Sequence, residues 1–203
     1  MGRSVNGTIV YIHGKGGNAE EADHYKPLFP QYRLVGFDYR SQTPWEAEDE
    51  FPAFFESVQK GGEPIAIIAN SIGAFFTMHA LAHITMEKAW FVSPIVDMEK
   101  LIIDMMHWSG VSERELREKG SIDTAFGETL SWEYLTWVRE HPIVWRTPSS
   151  ILYAGRDHLQ SLDTMLGFAK RIGADVTIME GGEHWLHTDE QMRFLDCWIE
   201  RSM

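Results

Sequence analysis

The chain has 203 residues, of which 44% are hydrophobic, so it can form one well-buried core but not two domains of ordinary size. Its formal charge of -12 repels polyanions, which makes nucleic acid and anionic membranes poor candidates as partners, while a local pocket for a fatty anion or acyl-CoA stays open. The single Cys197 cannot form an internal disulfide, and its helical surroundings predict a core position.

Neither a membrane span nor a secretory signal is apparent in the sequence. No run approaches the roughly 18 consecutive apolar residues of a spanning helix. Residues 1–6 lack the apolar core of a secretory signal. We therefore expect a cytoplasmic protein that does not bind membranes.

Short apolar runs rich in β-branched residues alternate along the chain with longer helical patterns. Because the runs are apolar throughout, they suit strands that are covered on both faces, and their separations leave room for crossover helices. The sequence thus predicts an α/β fold with a mostly parallel sheet of about six strands flanked by helices. The predicted strands span residues 8–12, 33–37, 64–69, 89–92, 150–153 and 175–179.

A glycine-rich segment, residues 13–17, follows the first predicted strand. It contains neither of the phosphate-binding patterns G-x-x-x-x-G-K-[ST] and G-x-G-x-x-G. Two interpretations stay open: a flexible turn, or a loop whose main-chain N–H groups turn toward a reacting group. We call this segment the glycine loop.

Ser71 lies between an apolar run and a segment with helical periodicity at residues 72–84. The small residues Ala69 and Gly73 stand two positions before and two after it, which lets the backbone fold back sharply and present the hydroxyl beside a helix N-terminus. A hydroxyl needs a base, a group that orients the base, and donors for the oxyanion before it can attack a carbonyl. Ser71 is therefore the candidate nucleophile.

His79 and His83 stand four residues apart on the following helix, a spacing that can chelate zinc. The sequence offers no H-E-x-x-H pattern, third ligand or cysteine cluster to complete such a site. We expect both side chains to pack or to face solvent, and we predict neither a metal nor another cofactor.

About 50 residues, 94–147, then pass without a convincing strand, which predicts a helical insertion. Helices are expected after Asp97, after Ser112 and over residues 131–140. Four of the eight tryptophans fall in this stretch, and they either build a small core or, together with Met105, line an apolar pocket. These tryptophans are Trp108, Trp132, Trp137 and Trp145.

Asp157 comes directly after the fifth predicted strand, where a carboxylate can accept the Nδ1–H of a histidine and orient its ring. The alternative is an aspartate that caps a helix or stabilises a turn. Its nearest rival, Asp163, lies within a helix predicted over residues 162–172 and is expected to face solvent.

His184 lies in a glycine-bearing loop after the last predicted strand. Near pH 7 an imidazole can both remove and return a proton, so this residue is the candidate base, the alternative being a surface histidine. His187 is a rival, but it stands at the start of the last helix, which the T-x-x-Q capping box of Thr188 and Gln191 predicts.

The order of a serine, an acid after a later strand and a histidine after the last strand resembles the α/β-hydrolase superfamily. The match runs from the glycine loop to the last helix, and four separate motifs agree in order. The resemblance implies catalytic roles for Ser71, Asp157 and His184. It also implies oxyanion donors at the backbone of Lys15 and Ile72.

The same resemblance implies a single α/β-hydrolase domain over residues 1–203, in which residues 94–147 form a helical cap. Two features depart from the family pattern. Ala69 stands where the family has the first glycine of its motif, and the first predicted strand corresponds to the family's third, so we expect a sheet without the family's first two strands.

The resemblance leads us to expect a small serine hydrolase that cleaves an ester or thioester of a modest apolar acyl group. Trp108, Trp132, Trp137 and Met105 are the expected pocket residues. A peptidase, an amidase or a lipid-ester hydrolase with the same three residues is an alternative, because one fold hosts many substrates. A non-catalytic binding protein is another. The oligomeric state is left open.

Overall fold

The computed structural model describes residues 6–59 and 62–203. The prediction about a secretory signal therefore rests largely on residues 1–5, which lie outside the described residues. The chain divides into two compact units. Val96–Ile143 forms the smaller unit, and the segments on either side of it form the larger one.

The strands follow the predicted runs closely. In chain order they are β1 Thr8–Ile12, β2 Arg33–Phe37, β3 Ile65–Asn70, β4 Lys88–Val92, β5 Ser121–Asp123, β6 Thr129–Ser131, β7 Ser149–Ala154 and β8 Asp175–Met179. Among the described residues, six strands of the larger unit form one sheet in the order β2-β1-β3-β4-β7-β8, with every neighbouring pair parallel. The predicted α/β fold with a parallel sheet is confirmed.

The helices that the sequence predicts begin within one residue of their expected starts, but the helix at Ser71 ends at Ala80 rather than at residue 84. Thr188 and Gln191 form the predicted capping box, while the side chains of Asp97, Ser112 and Ser131 each accept a backbone N–H of the first turn that follows. The helices are α1 Pro44–Val58, α2 Ser71–Ala80, α3 Met98–Ser109, α4 Glu113–Lys119, α5 Trp132–Glu140, α6 Leu162–Ile172 and α7 Asp189–Ser202. A 3₁₀ helix, Ala19–Tyr25, precedes them.

One face of the sheet packs against α7. Ile9 and Tyr11 of β1 share a buried cluster with Leu195 and Trp198 of α7. Cys197 lies two residues beyond Leu195, about 200° around the helix, so it points away from this cluster and is exposed. The predicted core position of Cys197 is therefore wrong.

The smaller unit has a core of its own, in which Leu116, Leu130 and Leu135 are buried. It contains the antiparallel pair β5 and β6, so the expectation that this stretch holds no strand is wrong. Each of these strands has only three residues and a mixed polar composition, which gives too short a pattern to recognise.

The order of the strands opens a crevice at one edge of the sheet. From β1 the chain passes to β2 on one side, whereas β3 pairs on the other side of β1. Connections that leave in opposite directions create a gap outside the carboxyl ends of such strands, and ligands of open α/β sheets bind there. The glycine loop and Ser71 follow β1 and β3 at this place.

Within the described part of the chain, no helix has both the length and the apolar character needed to cross a membrane.

Candidate active site

Ser71 occupies a strained turn between β3 and α2. Its backbone φ of 49° lies in the left-handed region, which residues other than glycine rarely adopt and which is costly for them. The turn is held by the segment after β4, because the carbonyl oxygen of Ser71 accepts a hydrogen bond of 3.1 Å from the N–H of Ile95. The hydroxyl is thus presented at the carboxyl edge of the sheet.

Two glycines allow the glycine loop and this turn to approach each other. A Cβ atom on Gly73 would lie 2.2 Å from the carbonyl oxygen of His13, which no side chain can tolerate without a backbone shift. A Cβ atom on Gly14 would lie 3.2 Å from the Cβ of Ser71. The alanine that replaces the first glycine of the family motif, Ala69, is fully buried in β3 and leaves this geometry intact.

The structure brings Ser71, His184 and Asp157 into one hydrogen-bonded row. Ser71 Oγ lies 2.7 Å from His184 Nε2, and His184 Nδ1 lies 2.7 Å from Asp157 Oδ2. A carboxylate can only accept, so the network assigns the proton to Nδ1 and leaves Nε2 as the acceptor for the serine hydroxyl. This is the arrangement in which an imidazole can take a proton from a serine.

Asp157 divides its two carboxylate oxygens between two tasks. Oδ1 accepts hydrogen bonds from the backbone N–H groups of Leu159, at 2.7 Å, and Gln160, at 3.3 Å. Oδ2 is directed at His184. Asp157 therefore fulfils both interpretations of the sequence at once, since it stabilises its own turn and orients the imidazole.

Backbone hydrogen bonds fix the loop of His184 against the loop of Asp157. The N–H of Gly155 donates to the carbonyl of Met179 at 2.8 Å, and the N–H of Arg156 donates to the carbonyl of Gly182 at 2.8 Å. These contacts extend the pairing of β7 and β8 beyond the ends of the strands. The loop that carries the imidazole is therefore fixed against the loop that carries Asp157.

The rival residues have other surroundings. Asp163 is exposed in the first turn of α6. His187 is exposed, its ring stacks on Trp185 with centroids 4.6 Å apart, and its Nδ1 lies 2.8 Å from the carbonyl oxygen of Trp185.

A cavity of about 720 Å³ in the larger unit opens beside Ser71 and His184. Much of its lining is apolar, namely Val92, Leu159, Trp185, Leu186, Met192 and Leu195. Trp185, adjacent to His184, leaves 74% of its surface exposed. The expected pocket residues Trp108, Trp132, Trp137 and Met105 lie in the smaller unit and are not among the residues that line this cavity. Their role stays a prediction.

The expected oxyanion donors belong to the two segments that meet at Ser71. Lys15 lies in the glycine loop and lines the cavity. Ile72 is in the first turn of α2, where helical N–H groups have no partner within the helix. Both positions suit a main-chain donor, and the catalytic role of each stays a prediction.

Of the two histidines with metal-ligand spacing, His79 lies in α2 and His83 lies in the turn beyond its end at Ala80, so the expectation that both stand on this helix is wrong. The ring of His79 packs on Phe75, with centroids 4.6 Å apart, and His83 is exposed. The described residues contain no group of three or more histidine, cysteine, aspartate or glutamate side chains that could hold a metal ion.

Four residues at the site escaped sequence analysis: Tyr11, Glu21, Asn70 and Trp185. For two of them, Tyr11 and Asn70, the sequence contains a pattern that could have indicated a role at the site. Tyr11 is the one aromatic residue in β1, and Asn70 is the one residue with a polar side chain in β3. Both are polar groups on the same face of adjacent strands, which the alternation of side chains could have indicated.

No protein-family model matches the sequence, and no curated protein matches it significantly. Solved structures do match. Alpha/beta hydrolase domain-containing protein 10 from mouse has a TM-score of 0.77 at 16% identity, over 96% of this chain and 88% of that one. Est1E from Butyrivibrio proteoclasticus has a TM-score of 0.76 at 15% identity, over 98% of this chain and 88% of that one.

The Pyrococcus furiosus esterase Pf2001 also matches, with a TM-score of 0.66 at 16% identity, over 99% of this chain and 81% of that one. Est1E with bound ferulic acid is a further match, with a TM-score of 0.77 at 14% identity over 98% of this chain and 89% of that one. Likeness at such identities shows the fold, and the resemblance predicted from the sequence is confirmed at that level. The chain has the α/β-hydrolase fold.

Proposed function

We propose that the protein is a serine hydrolase that cleaves a carboxylic ester or thioester through an acyl-enzyme. The observation that carries the proposal is the row in which Ser71, His184 and Asp157 are joined by two contacts of 2.7 Å. The esterases among the structural neighbours add support, because their fold is the same.

In the first half of the reaction, Ser71 Oγ attacks the carbonyl carbon while its proton passes to His184 Nε2. The buried carboxylate of Asp157 stabilises the imidazolium that forms. The carbonyl oxygen becomes an oxyanion, and the backbone N–H groups of Lys15 and Ile72 are the proposed donors to it. Collapse of this intermediate breaks the bond to the leaving group, which takes the proton from His184.

In the second half, water attacks the acyl-enzyme and gives its proton to His184 Nε2. The second tetrahedral intermediate collapses, the carboxylic acid leaves, and the proton returns to Ser71 Oγ. No group besides these side chains and the backbone donors is needed, since each proton that His184 takes is later returned.

The cavity supports a substrate with an apolar acyl group of small to medium size, because its lining near Ser71 is largely aliphatic and aromatic. A cytoplasmic location and a capping role for the smaller unit remain predictions from the sequence. Replacing Trp108 by alanine and measuring KM for esters of different acyl length tests whether that unit contributes to the substrate pocket.

Ser71→Ala tests the proposed function. The variant should lose hydrolysis of p-nitrophenyl acetate and butyrate, and it should lose labelling by a fluorophosphonate. Ser57→Ala is the matched control, because Ser57 is an exposed serine on α1 and its loss should change neither property. Undiminished labelling of Ser71→Ala would remove Ser71 from its role.

A substrate panel separates the ester proposal from its alternatives. Esters and thioesters of two to ten carbons, aryl esters, lipid esters, amides and peptides with a free N-terminus would be compared with Ser71→Ala as the blank. Faster turnover of amides or peptides would favour the peptidase alternative. Tight binding without turnover across the panel would favour a binding protein.

A further inference from the structure

A chain of side-chain hydrogen bonds connects the turn of Ser71 with the segment that follows the glycine loop. The amide Nδ2 of Asn70, the residue before Ser71, donates to the hydroxyl of Tyr11 at 2.8 Å. The Tyr11 hydroxyl in turn donates to the carboxylate of Glu21. Tyr11 belongs to β1 and Glu21 to the 3₁₀ helix, so the chain spans three segments.

The register of the sheet explains how Asn70 and Tyr11 meet. Tyr11 of β1 pairs with Ile68 of β3, and Asn70 stands two residues beyond Ile68. Residues two apart on a strand project to the same face, so the amide of Asn70 and the ring of Tyr11 lie on one side of the sheet. Asn70 therefore reaches Tyr11 from the last position of its strand.

Glu21 holds the other end of this chain to the exit of the glycine loop. Its Oε1 accepts the backbone N–H of Asn18 at 3.3 Å, and the two residues form a capping box at the start of the 3₁₀ helix. A Cβ atom on Gly17 would lie 2.8 Å from this oxygen, so the carboxylate lies directly against the loop. The loop itself closes through a hydrogen bond of 3.1 Å from Gly17 N–H to the carbonyl of Gly14.

We propose that Tyr11 is a positioning residue that fixes the distance between the nucleophile and the glycine loop. Its hydroxyl joins Asn70, on the side of Ser71, to Glu21, on the side of the loop. The inference rests on the proposed function, because the separation of the two segments decides whether a backbone N–H of the loop meets the oxyanion that Ser71 creates.

Tyr11 is suited to this role because it remains a neutral donor. Burial, the neighbouring Tyr25 and Glu21 together raise the pKa of the Tyr11 phenol well above its usual range. The hydroxyl therefore keeps its proton over the whole pH range in which the reaction would be measured. Over that range it continues to accept from Asn70 and to donate to Glu21.

Tyr11→Phe removes the hydroxyl and leaves the ring in its cluster. Packing is therefore preserved, while the hydrogen bonds from Asn70 and to Glu21 are lost. We expect kcat for p-nitrophenyl butyrate to fall roughly ten- to hundred-fold, the scale of a small misplacement of a catalytic group, with KM changed less than about two-fold. Inactivation by a fluorophosphonate should slow by the same factor, but each protein molecule should still become labelled once, at Ser71. Tyr32→Phe is the matched control, since Tyr32 packs against the same cluster, and its kcat should equal that of the wild type.

Glu21→Gln provides a second, independent variant at an exposed position. Glutamine has one side-chain oxygen, so when that oxygen accepts the N–H of Asn18, the NH₂ group faces Tyr11 and the phenol has no acceptor for its proton. Its kcat should therefore fall as well. The double variant of Tyr11→Phe and Glu21→Gln should be no slower than the slower single variant, because both changes break the same connection.

A kcat of Tyr11→Phe within two-fold of the wild type, or a loss confined to KM, would overturn the inference. Additive losses in the double variant would also overturn it, because they would show that the two residues act separately. A wild-type protein that shows no labelling at Ser71 would instead overturn the proposed function, and the inference with it. The labelling experiment thus distinguishes the two failures.

Discussion

The carboxylate of Asp157 and the imidazole of His184 are joined by a 2.7 Å contact in which the Asp157 side chain has no exposed surface and that of His184 only 14%. A buried carboxylate without hydrogen-bond partners would be costly, and the Asp157 carboxylate has three such bonds. Two of them come from backbone N–H groups of its own turn. The third fixes the ring of His184 and decides which nitrogen bears the proton.

Asp157→Asn should lower kcat by about 10,000-fold without unfolding the protein, the scale known for the loss of an orienting aspartate. The amide oxygen would keep the two N–H groups of the turn, and the NH₂ group would then face His184. An NH₂ group can only donate, so Nδ1 would have to accept and Nε2 would carry the proton. Steady-state kinetics with p-nitrophenyl butyrate, together with thermal melting, measures both expectations.

Asp163→Asn and His83→Ala are the controls for substitutions of Asp157 and His184. Asp163 is exposed on α6 and His83 is exposed in the turn after α2, so each substitution should leave kcat unchanged, whereas His184→Ala should match the loss in Ser71→Ala. A folded Asp157→Asn protein that kept a tenth of the wild-type kcat would contradict the role of Asp157.

Gly73→Ala should destabilise the fold and reduce turnover together. The added methyl group would lie 2.2 Å from the carbonyl oxygen of His13, so β1 or α2 must shift, and overpacking of this kind costs about 1–3 kcal/mol. The shift would also move the glycine loop relative to Ser71. Urea unfolding measures the loss of stability, and kcat measures the displacement at the site.

Gly167→Ala is the opposite case and serves as the control. Gly167 lies within α6, and a Cβ atom added there meets nothing within 4 Å. An alanine in a helix interior is more stable than glycine by roughly 0.5–1 kcal/mol, so this variant should be slightly stabilised and fully active. Equal effects of the two substitutions would refute the close approach of Gly73 to His13.

Sequence analysis succeeded for the fold wherever a pattern is local. Apolar runs bounded by turns predict each strand of the main sheet to within one residue at either end, although the edge strands β2 and β8 are only partly buried. The pair β5 and β6 has three residues in each strand, so no period can be read from it. The burial of Cys197 was predicted wrongly, because a helical pattern around a single cysteine does not show which face of the helix the residue occupies.

The candidate site could be predicted in part because parallel strands bring their carboxyl ends to one edge of a sheet. Ser71, Asp157 and His184 each follow a strand, so their order along the chain already suggests that they are close in space. The contact of Tyr11 with Glu21 has no such signal. It depends on the path of the chain from the glycine loop through the 3₁₀ helix, which composition does not determine.

Trp185→Ala should weaken the binding of esters with an aromatic leaving group. Trp185 lines the cavity beside His184, one face of its indole stacks on His187, and most of its surface is available for contact. An aromatic contact contributes about 0.5–1.5 kcal/mol, so KM for p-nitrophenyl butyrate should rise roughly two- to ten-fold. KM for ethyl butyrate should change little, because its leaving group offers no ring.

Phe194→Ala is the matched control for Trp185. Phe194 is an exposed aromatic residue of α7 that lines a different surface cavity, and its loss should alter neither KM. An equal rise in KM for aryl and ethyl esters in Trp185→Ala would show that the indole supports the loop of His184 rather than contacts an aromatic group.

Stability should decline at alkaline pH because four tyrosines, Tyr11, Tyr25, Tyr39 and Tyr153, are buried in the larger unit. Burial is the largest cause that raises the pKa of Tyr11, Tyr25 and Tyr39, and nearby glutamates raise each of them further. Above about pH 10, the ordinary tyrosine value, the unfolded chain loses phenol protons that the folded chain retains. The free energy of unfolding therefore falls with rising pH, and below that range these groups contribute no slope.

Urea unfolding of the wild type and of Tyr11→Phe between pH 8 and 11 measures this slope. The variant should have a shallower decline above about pH 10, because its unfolded chain has one fewer phenol to ionise. Identical slopes would mean that Tyr11 ionises as readily in the folded protein as in the unfolded chain. The hydroxyl would then lose its proton in alkaline solution and could no longer donate to Glu21, so the same titration also tests the direction of the hydrogen-bond chain at the site.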